Sequence, residues 1–258
     1  MSKLENKVIV VTGAFGQLGH AVSMEIAKQG GTGVLISRST KSCATLYDQI
    51  CAAGYTEPAL FPLDFHKADE AKFDELALGV GQLFGRCDGI IHCAGVLEKL
   101  CPVVHFPPAL WHKTLAVELT GPFLLTQRLL PLLQQSMAAQ IVYTTHPIGK
   151  NPKAYWAALA AAKAGLENFA QVLHEELESQ AKVKVNCVTP PPFQSRSYSK
   201  LYPGRTQSDL PSATQIAKYL VGLFDPEAMH QSGKNLVITQ EALPTINTSR
   251  LQIPIVQV

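Results

Sequence analysis

An α/β fold is what this chain of 258 residues predicts: a doubly wound, parallel, seven-stranded sheet with helices on both faces. Short β-rich apolar runs alternate with longer helical patterns from one end to the other, as right-handed βαβ crossovers require. The apolar runs are nearly continuous rather than alternating, which suits strands buried on both faces. No internal repeat, low-complexity tract or linker divides the chain, so residues 1–258 read as one domain.

The first strand is expected over 7–12, where Val8-Ile9-Val10-Val11 forms an unbroken β-branched run. A helix over 18–28 follows, with Leu18, Val22 and Ile26 four residues apart on one face. The same logic gives strands over 33–37, 59–62, 89–92, 140–144, 184–188 and 235–239. Helical patterns lie between them over 41–53, 71–84, 121–133, 154–179 and 213–224. Two stretches have no period. Residues 190–212 hold Pro190-Pro191-Pro192 and Pro203-Gly204, and residues 241–258 hold Pro244 and Pro254. Ligands of open α/β sheets bind beyond the carboxyl ends of the strands, so the first stretch is expected to lie over a site as a lid.

Composition excludes several classes. Charged residues are 16% and hydrophobic ones 47%, a globular balance. A formal charge of +2, with no run of Lys and Arg, argues against nucleic acid as a partner. The six cysteines lie scattered, without C-x-x-C spacing, and read as buried thiols. No metal-ligand spacing emerges from the histidines. The polar segment 1–7 is no secretory leader and no stretch is apolar enough to span a bilayer, so a membrane is not expected and the cytoplasm is.

The strongest motif follows the first strand: Thr12-Gly13-Ala14-Phe15-Gly16-Gln17-Leu18-Gly19, running into a helix. Glycines there permit a tight turn and close approach of the backbone to a pyrophosphate, while the helix N-terminus presents free N–H groups and a positive dipole end. In this position the pattern points to a Rossmann-type dinucleotide site. After the second strand no carboxylate waits for a ribose 2′-hydroxyl; Ser37-Arg38-Ser39 stands there instead. A guanidinium pairs with a 2′-phosphate through two hydrogen bonds, so NADP(H) is favoured over NAD(H).

These residues resemble the short-chain dehydrogenase/reductase family, and flanking segments are similar to its YciK-like bacterial members over roughly 7–241. The glycine spacing differs from the commonest Thr-Gly-x-x-x-Gly-x-Gly, with Gln17 where the middle glycine falls. The resemblance implies cofactor contacts from Gly13, Phe15, Gly16, Gln17, Leu18 and Gly19, from Asp64 to the adenine, from Ala94-Gly95 after the fourth strand, from Lys163, and from Ser195 in the lid. It also implies a small carbonyl or alcohol substrate, and pairing of copies through long helices into a homodimer or homotetramer.

The catalytic half departs from that pattern. Family members use Tyr-x-x-x-Lys, a serine and an asparagine for proton transfer to and from the substrate. Lys163 matches the lysine, but Leu159 occupies the tyrosine position, His146 the serine position and Glu118 the asparagine position. Pro191 replaces the glycine after the sixth strand. Three readings follow: an NADP(H)-binding protein without ordinary reductase activity, serving as sensor or partner subunit; an oxidoreductase rewired around His146, with Glu118 pairing with Lys163 or with His146 and in the second case raising its pKa, and with Tyr155 one turn before Leu159 on the same helical face; or a structural protein that retains only the fold.

Overall fold

The computed structural model describes residues 3–38, 40–96, 100–180, 182–225, 231–239 and 241–243. Its seven strands are β1 (Val8–Thr12), β2 (Thr32–Ser37), β3 (Ala59–Pro62), β4 (Gly89–His92), β5 (Ala139–Thr144), β6 (Val183–Thr189) and β7 (Lys234–Val237). They form one sheet in the order β3-β2-β1-β4-β5-β6-β7, every pair parallel. The expected α/β architecture is therefore present. Of the irregular tail expected over 241–258, residues 244–258 lie outside the described residues, as does Ser39.

Among the described residues the strands are joined by α1 (Gln17–Lys28), α2 (Thr40–Ala52), α3 (Glu70–Phe84), α4 (Pro108–Leu115), α5 (Gly121–Gln135), α6 (Ala157–Leu177), α7 (Arg196–Leu201) and α8 (Ala213–Gly222). Successive side chains of a strand point to opposite faces, and the central strands split accordingly between two cores. Ile9, Val11, Leu35, Ile91 and Val142 pack with Val22 and Ile26 of α1, Ile50 of α2 and Leu220 of α8. Val8, Val10, Val34, Ile90 and Ile141 pack with Phe73 of α3, Leu129 of α5 and Leu166 of α6. Because both faces are covered, the strands need apolar residues throughout, which is why unbroken runs mark them in the sequence. Among the described residues no helix is long and apolar enough to cross a membrane.

Three differences from the expected elements bear on the site. First, α4 is an element that the sequence pattern does not announce; Pro108 occupies its first turn, where a missing N–H costs nothing. Second, α4 continues into α5 through one π turn, Ala116–Thr120, in which the Gly121 N–H bonds to the Ala116 carbonyl five residues back. Pro122 lacks the N–H that would bond to Glu118 in a regular helix, so the wider turn fits the sequence here. Third, α6 starts at Ala157, later than expected, and the lid is not structureless: it contains α7.

Candidate functional site

The carboxyl ends of β1 to β4 open onto a cleft of about 600 Å³, at the point where the strand order reverses about β1. Gly13, Phe15 and Gly16 form one wall. Gly13 has φ +62°, and a Cβ on it would lie 2.6 Å from the Ala94 Cα, so both conformation and space require glycine. A Cβ on Gly19 would lie 2.2 Å from the Gly13 carbonyl oxygen, so its absence lets α1 close against the loop. Gly16 caps α1 without a side-chain bond, and no acidic residue occupies the first turn. The first N–H groups of α1 are thus left for a ligand. Leu18 packs into the core beneath the loop.

The other wall carries Arg38 after β2, Asp64 after β3, and Ala94 and Gly95 after β4. The Ala94 N–H donates to the Thr12 hydroxyl at 3.0 Å, fixing the β4 loop to β1. Asp64 accepts from the His66 N–H at 3.0 Å and keeps its carboxylate at the cleft. The cleft therefore gathers Gly13, Phe15, Gly16, Arg38, Asp64, Ala94 and Gly95, all expected from the sequence. It also exposes basic groups that the sequence does not place there: His66, Lys67, Lys113 and Arg196. Lys113 lies on α4, whose only start signal is the Pro107-Pro108 pair. Burial pushes the Cys93 thiol up to about 12, against the opposing charge of Lys163, so it is no nucleophile at neutral pH.

The residues at the catalytic positions do not line this cleft. Glu118, in the π turn, is 3% exposed and Lys163, on α6, is 7% exposed. Their side chains form an ion pair at 2.8 Å. Lys163 also donates to the Thr144 carbonyl oxygen at 2.8 Å, so its ammonium is held by a charge on one side and a carbonyl on the other. The other oxygen of Glu118 accepts the Val96 N–H at 2.6 Å, which anchors the β4 loop. One helical turn beyond Lys163, Glu167 accepts from the Thr145 hydroxyl.

His146 corrects the rewired reading. Of its two expected partners, Lys163 and His146, Glu118 takes Lys163. Burial, together with the charges of Lys163 and Lys153, lowers the imidazole pKa to about 4 instead of raising it. Its Nδ1 accepts from the Ile148 N–H at 3.1 Å, and the ring stacks on Trp156 with centroids 5.4 Å apart. At neutral pH it is an uncharged imidazole holding a turn, without the extra proton a general acid needs. Tyr155 is also placed differently from expectation. It sits before α6 in a turn, at φ +77° and 54% exposed, not one turn ahead of Leu159 on a shared helical face. Ser195 caps α7 by accepting from the Tyr198 N–H, and lines a smaller hollow under the lid.

Gln17 bridges the two regions. Its carboxamide oxygen accepts the Arg196 N–H, and its amide reaches the Gln194 carbonyl oxygen at 3.5 Å. A sequence model of the family described as short chain dehydrogenase matches residues 7–205. The chain belongs to the short chain dehydrogenase family. Among curated relatives, this short chain dehydrogenase is 29% identical to the uncharacterized oxidoreductase YciK of Escherichia coli K12, over 89% of this chain and 90% of the relative. Among solved structures, that of a short chain dehydrogenase from Shigella flexneri 2a in complex with NADP superposes with a TM-score of 0.87 at 28% identity, covering 92% of this chain and 98% of that one. One from Escherichia coli CFT073 in complex with NADPH gives the same TM-score of 0.87, 28% identity, and coverage of 92% and 98%.

Proposed function

We propose that this short chain dehydrogenase binds NADP(H) in the cleft between β1 and β4 but has lost the ordinary carbonyl reduction of its family, and works as a sensor of the dinucleotide or as a partner subunit. The binding half rests on a cradle that fits the group. Gly13 and Gly19 leave the space a pyrophosphate-binding turn needs, the first turn of α1 is uncapped, and Arg38 stands at the end of β2. Arg38 favours the 2′-phosphorylated form over NAD(H). The NADP and NADPH held by two similar structures agree with that preference.

The loss of chemistry rests on one observation: the position of the proton donor carries Leu159, while the lysine that would assist it is spent on Glu118 and the Thr144 carbonyl. A bound nicotinamide dinucleotide supplies hydride, and hydride transfer to a carbonyl also needs a proton for the oxygen. Leu159 has none to give. His146 is an uncharged imidazole at neutral pH, since burial and the charges of Lys163 and Lys153 lower its pKa to about 4, and so it lacks the extra, readily given proton of an imidazolium. General acid catalysis of this kind contributes roughly 10² to 10⁴ in rate.

Two experiments test the reading. Calorimetric titration is expected to give tight NADPH and weak NADH binding; binding of neither would end the dinucleotide assignment. A panel of small carbonyls with NADPH is expected to give no turnover in the natural chain. The triple variant Leu159→Tyr, His146→Ser, Glu118→Asn is expected to gain measurable reduction. Turnover by the natural chain would restore the reading in which it is an active enzyme.

A homodimer or homotetramer built on α5 and α6 belongs to the same reading. Phe123 of α5 and Val172 of α6 are 38% and 54% exposed on those helices, and the α6 stretch 157–164 is rich in alanine. Sedimentation equilibrium is expected to give a dimer or larger for the natural chain and a monomer for Phe123→Asp with Val172→Asp.

A further inference from the structure

Gln17 stands where a glycine would complete the commoner phosphate loop, and its side chain is engaged rather than idle. It binds the backbone of the lid at two points, the Arg196 N–H and the Gln194 carbonyl. The first residue of α1 is thereby fastened to the segment that overhangs the cleft. Most polar groups of the lid are spent within it. Gln207 accepts the Ser195 N–H and donates to the Ser199 hydroxyl, while the Gln194 amide donates to the Leu210 carbonyl.

The Arg196 guanidinium is different. Residue Arg196 lines the cleft together with Gly13 and Gly16, and its side chain has no ion-pair partner among the described residues. Arg38, the other arginine of the cleft, has no ion-pair partner among the described residues either, and it stands beyond the end of β2 rather than at the phosphate loop. A cation without an ion pair, on a residue whose backbone is bound to the first residue of an uncapped helix, complements a diphosphate in charge. The planar fork of arginine also suits two phosphate oxygens at once.

We propose that Arg196 is a dinucleotide-binding residue carried by the lid: its guanidinium holds the pyrophosphate against the start of α1, and Gln17 positions it by fastening its backbone. This inference rests on the reading of the cleft as a dinucleotide site. It divides the work of the two arginines. Arg38 meets the 2′-phosphate that only NADP(H) carries, whereas Arg196 meets the diphosphate common to both coenzymes. Cofactor binding then bridges phosphate loop and lid, and the lid is held down while the cleft is filled.

The test is a set of calorimetric titrations on the full chain with NADPH, NADH and adenosine 2′-phosphate. Arg196→Met is expected to weaken NADPH and NADH by the same factor, about tenfold, as for loss of a charge-assisted pair, and to leave adenosine 2′-phosphate unchanged. Arg196→Lys is expected to recover part of that loss. Arg38→Met is expected to weaken NADPH and adenosine 2′-phosphate and spare NADH. Trypsin, which cuts after the lid residues Arg196, Lys200 and Arg205, is expected to cleave Gln17→Ala faster than the natural chain, and NADPH to slow cleavage of the natural chain. If the natural chain binds NADPH and Arg196→Met binds both coenzymes equally well, the proposal is wrong while the dinucleotide site stands. If Arg196→Met also loses adenosine 2′-phosphate, Arg196 serves the 2′-phosphate and the division of work is wrong. If the natural chain binds neither coenzyme, both the site and this inference fall.

Discussion

Glu118 and Lys163 are charged groups that water hardly reaches, at 3% and 7% exposure, and each holds a backbone group besides its partner. Desolvating two ions is expensive, so such a pair adds little net stability, yet removing one member strands the other. Glu118→Gln keeps an acceptor for the Val96 N–H and deletes only the charge. It is expected to lower the unfolding free energy by about 3 kcal/mol in urea denaturation, and Lys163→Met in the same background to recover most of the loss. A loss below about 1 kcal/mol would mean that solvent screens the pair, as at an exposed site. Tyr155 is a second residue-scale departure. A bulky side chain at φ +77° is a strained choice outside glycine, and nothing in the local sequence announces it.

At the scale of elements, the phosphate turn and α1 act as one unit because Gly19 has no Cβ. Gly19→Ala places a carbon 2.2 Å from the Gly13 carbonyl oxygen, so α1 must move outward. The expected outcome is a loss of about 1–3 kcal/mol in stability together with weakened NADPH binding. Gly204→Ala, where an added Cβ meets nothing within 4 Å, is the matched control and is expected to stay within about 0.5 kcal/mol of the natural chain. Unchanged NADPH affinity in Gly19→Ala would separate the turn from the binding site. These elements were legible in the sequence for a physical reason. Strands buried on both faces must be apolar throughout, and a glycine-rich turn joining the first strand to the first helix is seldom merely structural. The helix α4 was less legible, since its eight residues begin on the second of two prolines and carry little periodicity. The π turn depends on how Pro122 is accommodated, which a sequence pattern does not encode. Likewise Arg38 could be placed from its position after a strand, while Arg196 could not, because the fold of the lid brings it to the cleft.

For the molecule as a whole, two histidines set an acid limb of stability. Burial, aided by the charge of Lys163, lowers His92 to about 3, and burial with the charges of Lys163 and Lys153 lowers His146 to about 4. In the unfolded chain both titrate near 6.5, so below that pH the unfolded state binds more protons than the folded one. Stability is therefore expected to be complete above about pH 6.5 and to fall as the pH drops toward 4, by a few kcal/mol. Urea titrations at stepped pH check this, and His92→Gln should flatten part of the slope that remains in the natural chain; an identical slope would assign the limb to carboxylates alone. The order of the strands has a consequence for how the chain is made. Once β1 exists, β2 and then β3 add outward on one side, and β4, β5, β6 and β7 add outward in turn on the other. No strand has to be threaded between two already paired, so each one leaving the ribosome finds its neighbour already in place, and assembly can keep pace with translation from the N-terminus onward.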